Sequence, residues 1–366
     1  MEMRFAGWEE ALARPRFADA AIVATPDNNH VQPGLAALAA GYDLLLEKPI
    51  SKSAAECLAM RDAATASGRR AFVCHVLRYT PFFTELKRIL DSGAIGTIVS
   101  MDHTEGVGYW HYPHSFVRGN WRREAESSPM ILAKCCHDMD ILRWLVGADC
   151  RAVASFGSLS FFTSSNAPSG APARCTDGCP ASATCPYDAP RYYLTDTGQW
   201  AKKILRKVVA VEASDEAVLA ALKTGPYGRC VFRCDNDVVD HQSTILEFEG
   251  GATATLTMSA FNPGGRCIEV MGTRGRIKGD MEANSLETFD FLSGTATPTR
   301  IDGSGMGHME GDEGIMRDFC AVLRGGPLPG HLSLIDTAIQ SHLMSLAAEE
   351  SRLAGRGIVL DEFFRS

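Results

Sequence analysis

The chain has 366 residues, enough for two domains that each bury a core, and its 36 basic and 44 acidic side chains leave a net charge of −8. That interspersed, mildly acidic balance argues against nucleic acid or an anionic membrane as partner. No run of about 18 apolar residues is present and Met1-Glu2-Met3-Arg4-Phe5 does not open a signal peptide, so the 12 cysteines are expected as thiols of a cytoplasmic protein.

A short helix is expected over residues 8–12, followed by a loop through Pro15. Residues 19–24 (Asp-Ala-Ala-Ile-Val-Ala) read as a compact strand ended by Thr25-Pro26-Asp27. Leu35, Leu38 and Ala39 give residues 30–40 an apolar helical face that Gly41 stops. A second strand over 42–46 ends at Glu47-Lys48-Pro49, a second helix starts after the N-cap Ser53 and runs to Ser67, and a third strand covers 71–74. Strands joined by crossover helices must lie parallel in one sheet. Residues 1–96 are therefore expected to be the C-terminal half of a doubly wound, Rossmann-type domain. The strand, Gly-x-Gly-x-x-Gly turn and helix that open such a fold are not found ahead of Asp19. The expectation is that a unit of about 60 residues is missing, through a late start codon or a truncated gene, and that the chain as given binds NAD(H) weakly. Gly106-Val107-Gly108 lies beyond this domain, lacks the third glycine and receives no cofactor role.

Residues 97–366 change character. A strand is expected over 97–105, one helix over 129–146 with Ser128 as cap, and another strand over 152–160. Leu246, Phe248, Ala252, Ala254, Leu256 and Met258 alternate with polar residues around the hairpin turn Glu249-Gly250-Gly251. Residues 268–272 and 276–279 add another pair of strands, and helices over 313–323 and 333–354 close the chain. The fold class is α/β: a partial parallel sheet followed by an α+β domain built on a large, mainly antiparallel sheet.

Three motifs carry chemistry. Val23-Ala24-Thr25-Pro26-Asp27-Asn28-Asn29-His30 ends the first strand, Glu47-Lys48-Pro49 ends the second, and the 129–146 helix bears His137 and Asp140. Together they resemble the Gfo/Idh/MocA family, which includes glucose-fructose oxidoreductase and inositol dehydrogenases. The resemblance implies NAD- or NADP-dependent oxidation of a sugar, glycoside or polyol CH–OH group, in which a base accepts the hydroxyl proton. It makes Lys48 and His137 the catalytic residues, with a cis bond before Pro49. Thr25, Pro26, Asn28, His30, Glu47, Lys48, Pro49 and Arg78 fall at cofactor-binding positions. Family members carry an aspartate four residues before the histidine, where this chain has Ala133 followed by Lys134. The alternative for Lys48 is a surface lysine at a strand end, and for His137 a histidine packed in an apolar helix.

Lys134 and Asp140 sit within one turn of His137 and are expected on the substrate side. His114, Arg118, Asn120 and Trp121 mix donors with aromatic faces, as sugar sites do. They form either a substrate wall or a structural loop or subunit contact. Cys175, Cys179 and Cys185 stand in a Pro- and Gly-rich loop, with Cys230 and Cys234 further on. Three of them with Cys230, or with Cys234, are expected to hold a structural zinc. Unligated thiols or a reversible disulfide are the alternatives. The expected partners are a small carbohydrate and copies of the same chain, as dimer or tetramer. A redox-neutral, NAD-dependent glycoside-cleaving enzyme and an inert regulatory remnant are the rival functions.

Overall fold

The computed structural model describes residues 3–195, 200–303 and 309–364. After a short α1 (Trp8–Leu12), strands β1 (Ala20–Val23), β2 (Asp43–Leu46) and β3 (Ala71–Val73) form a parallel sheet in that order. β2 is the middle strand and every residue in it is buried, as its unbroken Leu44-Leu45-Leu46 run requires of a strand covered on both faces. The crossovers are α2 (Val31–Ala39) and α3 (Ala54–Ser67). Ser53 caps α3, its hydroxyl accepting the Glu56 amide, and Gly68 ends it at φ 62°, a conformation that costs glycine nothing. The C-terminal ends of β1 and β2 thus deliver Thr25 and Glu47-Lys48 to the same edge.

α4 (Pro81–Asp91), capped by Thr80, leads into the second sheet. Its strands are β4 (Ile98–Gly106), β5 (Cys150–Ser158), β6 (His241–Phe248), β7 (Thr253–Ser259), β8 (Gly265–Gly272), β9 (Gly275–Asp280), β10 (Ser285–Asp290), β11 (Thr295–Arg300) and β12 (Ile358–Val359). The order is β11-β10-β9-β8-β4-β7-β6-β5-β12, and only β4 with β7 runs parallel. Leu246, Phe248, Ala254, Leu256 and Met258 are buried on one face, as their alternation predicted. β10, β11 and β12 were not legible, since β11 is largely exposed and lacks an apolar face.

The helix expected over 129–146 is two helices, α5 (Met130–Ala133) and α6 (Cys136–Val146). The two are separated by a turn at Lys134 and Cys135, whose amides still bond the Met130 and Ile131 carbonyls, beside an Ala133 carbonyl that accepts a hydrogen bond from Lys48. Ser128 is not the cap: its hydroxyl donates to Asp27. The 161–193 segment is a chain of turns up to α7 (Ala189–Leu194), and α8 (Trp200–Val209) and α9 (Asp215–Thr224) follow it. α10 (Met309–Leu323) and α11 (Ile335–Ala354) return to the first sheet, where Val73 donates its amide to the Ser333 carbonyl. Among the described residues no helix is long and apolar enough to cross a membrane.

Candidate active site

Three side chains from three parts of the chain hold the turn after β2. The Lys48–Pro49 bond is cis. The Pro49 carbonyl lies 2.6 Å from His30 Nδ1, and the Thr25 carbonyl lies 2.6 Å from His30 Nε2, so this imidazole clamps the two strand-end turns together. The Ile50 amide donates to His342 Nε2 at 2.9 Å, while His342 Nδ1 faces the Ala338 carbonyl one turn back in α11. That pair of contacts selects the neutral tautomer with its proton on Nδ1. Lys48, half-buried, donates from Nζ to the Ala133 carbonyl at 3.1 Å, four residues before His137.

His137 is buried at the start of α6, its ring 5.8 Å from that of His75, which in turn lies 5.7 Å from His342. Burial holds His75 down to about 4, with the opposing charge of Asp140 next in size, and burial holds His342 down to about 3. Both are neutral near pH 7. Asp140 lies 3.8 Å from His75 and takes a two-pronged ion pair from Arg78, at 2.7 and 2.6 Å. Arg78 and Asp140, expected at cofactor and substrate contacts, are almost fully buried and pair their charges with each other.

A second buried group lies behind Lys134. Lys134 Nζ is 3.3 Å from Glu105, whose other oxygen is 2.8 Å from Arg266. Arg266 also pairs with Asp138 at 2.8 Å, and Asp138 is 2.8 Å from His103 Nε2. Burial pushes the Asp138 carboxyl up, but the Arg266 charge and the His103 hydrogen bond outweigh it and hold it below the usual carboxylate range. Lys134 is 15% exposed and Glu105 2%, so the lysine reaches solvent while its carboxylate stays inside.

The turn after β1 is stitched to the 121–128 loop. Asp27 accepts from the Ser127 and Ser128 hydroxyls at 3.0 and 2.9 Å and from Trp121 Nε1 at 3.3 Å, and Asn28 donates to the Glu126 carbonyl at 2.8 Å. Pro26, Asn28, Asn120 and Trp121 are exposed; Thr25 is half-buried and spends its hydroxyl on the Asn29 carbonyl. His114 and Arg118, expected either in a substrate wall or in a structural loop, both lie inside the protein. His114 is buried, bonded to the Tyr193 hydroxyl at 2.8 Å and stacked on Tyr227, and Arg118 is fully buried among backbone carbonyls. They form the floor of the inserted segment that carries α7 to α9.

Cys175, Cys179, Cys185 and Cys230 do converge, lining one pocket of about 280 Å³. Cys234 does not line it; its sulfur donates to the Cys230 carbonyl. All are free thiols, and among the described residues no three His, Cys, Asp or Glu side chains are arranged to hold a metal ion. Four of the cysteines expected to hold zinc are thus gathered at one pocket, without the geometry of a metal site. A surface pocket of about 1120 Å³ beside Tyr79, Asp318 and His331 includes neither Lys48 nor His137.

Sequence reasoning missed Asp27, His75, His103, Glu105, Asp138, Arg266 and His342. Two signals were present: His103 and Glu105 alternate with Met101 on the buried face of β4, and His342 interrupts an apolar helical stripe.

Residues 2–75 match the profile described as "Oxidoreductase family, NAD-binding Rossmann fold", and residues 83–278 match the GFO/IDH/MocA C-terminal domain. A Bacillus subtilis (strain 168) protein that carries an oxidoreductase name, YteT, is 24% identical over 270 residues, 74% of this chain and 62% of that protein. Inositol 2-dehydrogenase 2 of Saccharopolyspora erythraea is 33% identical over 133 residues, 36% of each chain. The chain thus spans less than two thirds of the curated relatives it matches. A levoglucosan dehydrogenase solved with NADH and levoglucosan shares the fold at TM-score 0.66 and 19% identity, over 97% of this chain and 83% of that one. With a parallel Rossmann-like sheet, a nine-stranded mixed sheet and a profile match across more than half its length, the chain belongs to the GFO/IDH/MocA family.

Proposed function

We propose that the chain is an NAD-dependent oxidoreductase that oxidises a CH–OH group of a sugar or polyol, with Lys48 and His137 as catalytic residues. The observation that carries this reading is the position of Lys48. It stands at the carboxyl end of a parallel strand, where open α/β sheets bind ligands, with Nζ anchored one helical turn from His137. An ammonium has three donors, and the Ala133 carbonyl takes one. The remainder can meet a substrate hydroxyl and hold or pass its proton.

The residues present fit the nicotinamide–ribose end of a dinucleotide. Thr25, Pro26 and Asn28 at the end of β1 and Glu47 and Lys48 at the end of β2 form a polar, partly open rim. The cofactor, when bound, supplies the hydride acceptor. His30 sets the spacing between the two turns, and the Asp27 contacts to Ser127, Ser128 and Trp121 bring the 121–128 loop over them. Lys134, Asn120 and Trp121 are the polar and aromatic candidates for the substrate wall.

The names inositol 2-dehydrogenase and levoglucosan dehydrogenase, and NADH in the latter's structure, support a polyhydroxylated substrate and NAD over NADP. Self-association fits the open face of the nine-stranded sheet, where Phe156 and Ile245 stand 71% and 58% exposed on neighbouring strands.

The test is NADH formation, followed by its near-ultraviolet absorbance, with a panel of inositols, anhydrosugars and glycosides. Lys48→Ala should lower turnover by about 100-fold or more, the usual scale of acid–base catalysis. Near-wild-type turnover in that variant removes Lys48 from the mechanism. Glycoside cleavage without net NADH identifies the redox-neutral alternative.

A further inference from the structure

Packed against the inserted segment between β5 and β6 is a charge with no counter-charge among the described residues. Arg118 ends a buried turn of helix, and its side chain has no measurable exposure. Nε donates to the Arg229 carbonyl at 2.8 Å, and Nη2 donates to the Tyr187 carbonyl at 2.7 Å and to Cys175 Sγ at 3.7 Å. Nη1 is buried with no hydrogen-bond partner. Among the described residues no carboxylate lies within ion-pair distance of this guanidinium, although its neighbours Arg122 and Arg229 both pair with Asp235. The acidic group within hydrogen-bond reach of it is the Cys175 thiol. A guanidinium cannot shed its proton, and a buried charge without a partner is expensive, so the surroundings of Arg118 call for an anion.

Thiols are what the surroundings offer. Cys175 and Cys230 lie 55 positions apart but flank one antiparallel bridge: Cys175 donates its amide to the Gly228 carbonyl at 3.0 Å, and Cys230 donates to the Ala173 carbonyl at 2.9 Å. Turns that bond Cys185 to Ala181 and Ser182 to Cys179 bring the other two sulfurs to the same pocket. Arg118 Nη2 aims a donor at Cys175 Sγ, and an unbalanced cation beside sulfur suits a thiolate better than a thiol.

We propose that Cys175, Cys179, Cys185 and Cys230 close around one zinc ion, and that Arg118 balances the charge of the resulting centre. Binding releases four protons: one divalent ion and four thiols become a four-coordinate thiolate centre of charge 2−, and Arg118 lowers the local sum to 1−. The four sulfurs line one pocket but are not arranged as a liganding array. Cys179 and Cys185, partly exposed on the turn-rich loop, are the pair that must rotate inward. Cys234, bonded to the Cys230 carbonyl, stays outside. The centre would tie the 168–188 loop to the 226–234 loop and fix the floor on which His114 and α7 rest. It neither needs nor tests the oxidoreductase reading.

The experiment is titration of the reduced full chain with Co(II) alone, then displacement by Zn(II). The expected result is one equivalent per chain, with thiolate-to-cobalt charge transfer and the d–d absorption of a tetrahedral four-sulfur site. Arg118→Met should weaken zinc about 10- to 100-fold, the usual effect of losing a group that supports metal ligands. Cys175→Ser with Cys230→Ser should abolish the band, while Cys267→Ser, at an exposed cysteine elsewhere, should leave it. If the double variant fails to fold, the wild-type spectrum still decides through its sulfur count. Absence of the band, a count of two sulfurs or fewer, or a band that survives the double substitution in folded protein overturns the proposal.

Discussion

The amide of Ile50 donates to Nε2 of His342 across 292 positions of chain, and this one bond ties the turn bearing Lys48 to the last long helix. Few contacts reach the proline turn from so far, and both groups are fully buried. His342→Phe fills the space but removes the acceptor and leaves a buried N–H unsatisfied. The expected loss is about 1–3 kcal/mol, read as a lower urea midpoint at unchanged slope. An unchanged midpoint would mean that the Ile50 amide finds another partner.

Stability should fall on the acid side through the same cluster. His75 and His342 are held below their ordinary 6.5, at about 4 and about 3, chiefly by burial. The groups facing them are Asp140, which opposes the shift of both, Lys48, whose charge adds to both, Arg78, which adds to that of His75, and His75 itself, which adds to that of His342. A histidine that folds neutral binds fewer protons than its unfolded form between these values. Its contribution is therefore complete above about pH 6.5 and lost as pH falls toward 4, at up to about 1.4 kcal/mol per pH unit for each group. Urea unfolding at stepped pH checks this, and a flat profile from pH 7 to 4 would count against neutral burial. His75→Gln should flatten the profile.

Arg78 and Asp140 test what a buried pair is worth. Asp140→Asn strands the guanidinium and Arg78→Met strands the carboxylate, each expected to cost about 3–5 kcal/mol. The double variant should lose clearly less than the sum, because neither stranded charge remains. Additive losses in a double-mutant cycle would show that the two do not act as a pair.

Much of this architecture was legible because its signals are local. Each strand of the first sheet is a short apolar run closed by turn residues, and Ser53 and Gly68 mark the ends of α3 by capping chemistry alone. The Glu47-Lys48-Pro49 turn and His137 were readable as motifs. Their supports were not, since His30, His342 and Asp27 act through backbone or side-chain partners that only the fold brings near. Arg78, Asp140, His114 and Arg118 were hard to place for one reason: a charged or polar side chain near a motif reads as a ligand contact, but here all four are buried, and Arg78, Asp140 and His114 find partners inside the protein. The turn at Lys134 was also hidden, because residues 129–146 keep an apolar pattern across it.

The last test separates two roles within the group behind that turn. Glu105 sits between Arg266 and Lys134, at 2.8 and 3.3 Å, with almost no exposure. Glu105→Gln leaves Arg266 with Asp138 but leaves two cations sharing one anion in a buried space, and should cost about 3 kcal/mol or more. Lys134→Ala removes the more exposed member, and Glu105 keeps its bond to Arg266, so the expected cost is under about 1.5 kcal/mol. If Lys134 meets substrate, its loss should raise KM more than it lowers kcat, because a binding contact shared by ground and transition states acts on KM. Glu105→Gln should lower stability first and change KM only as Lys134 loses its anchor. Equal stability losses in the two variants, with KM untouched in both, would assign Lys134 a purely structural part and remove it from the substrate wall.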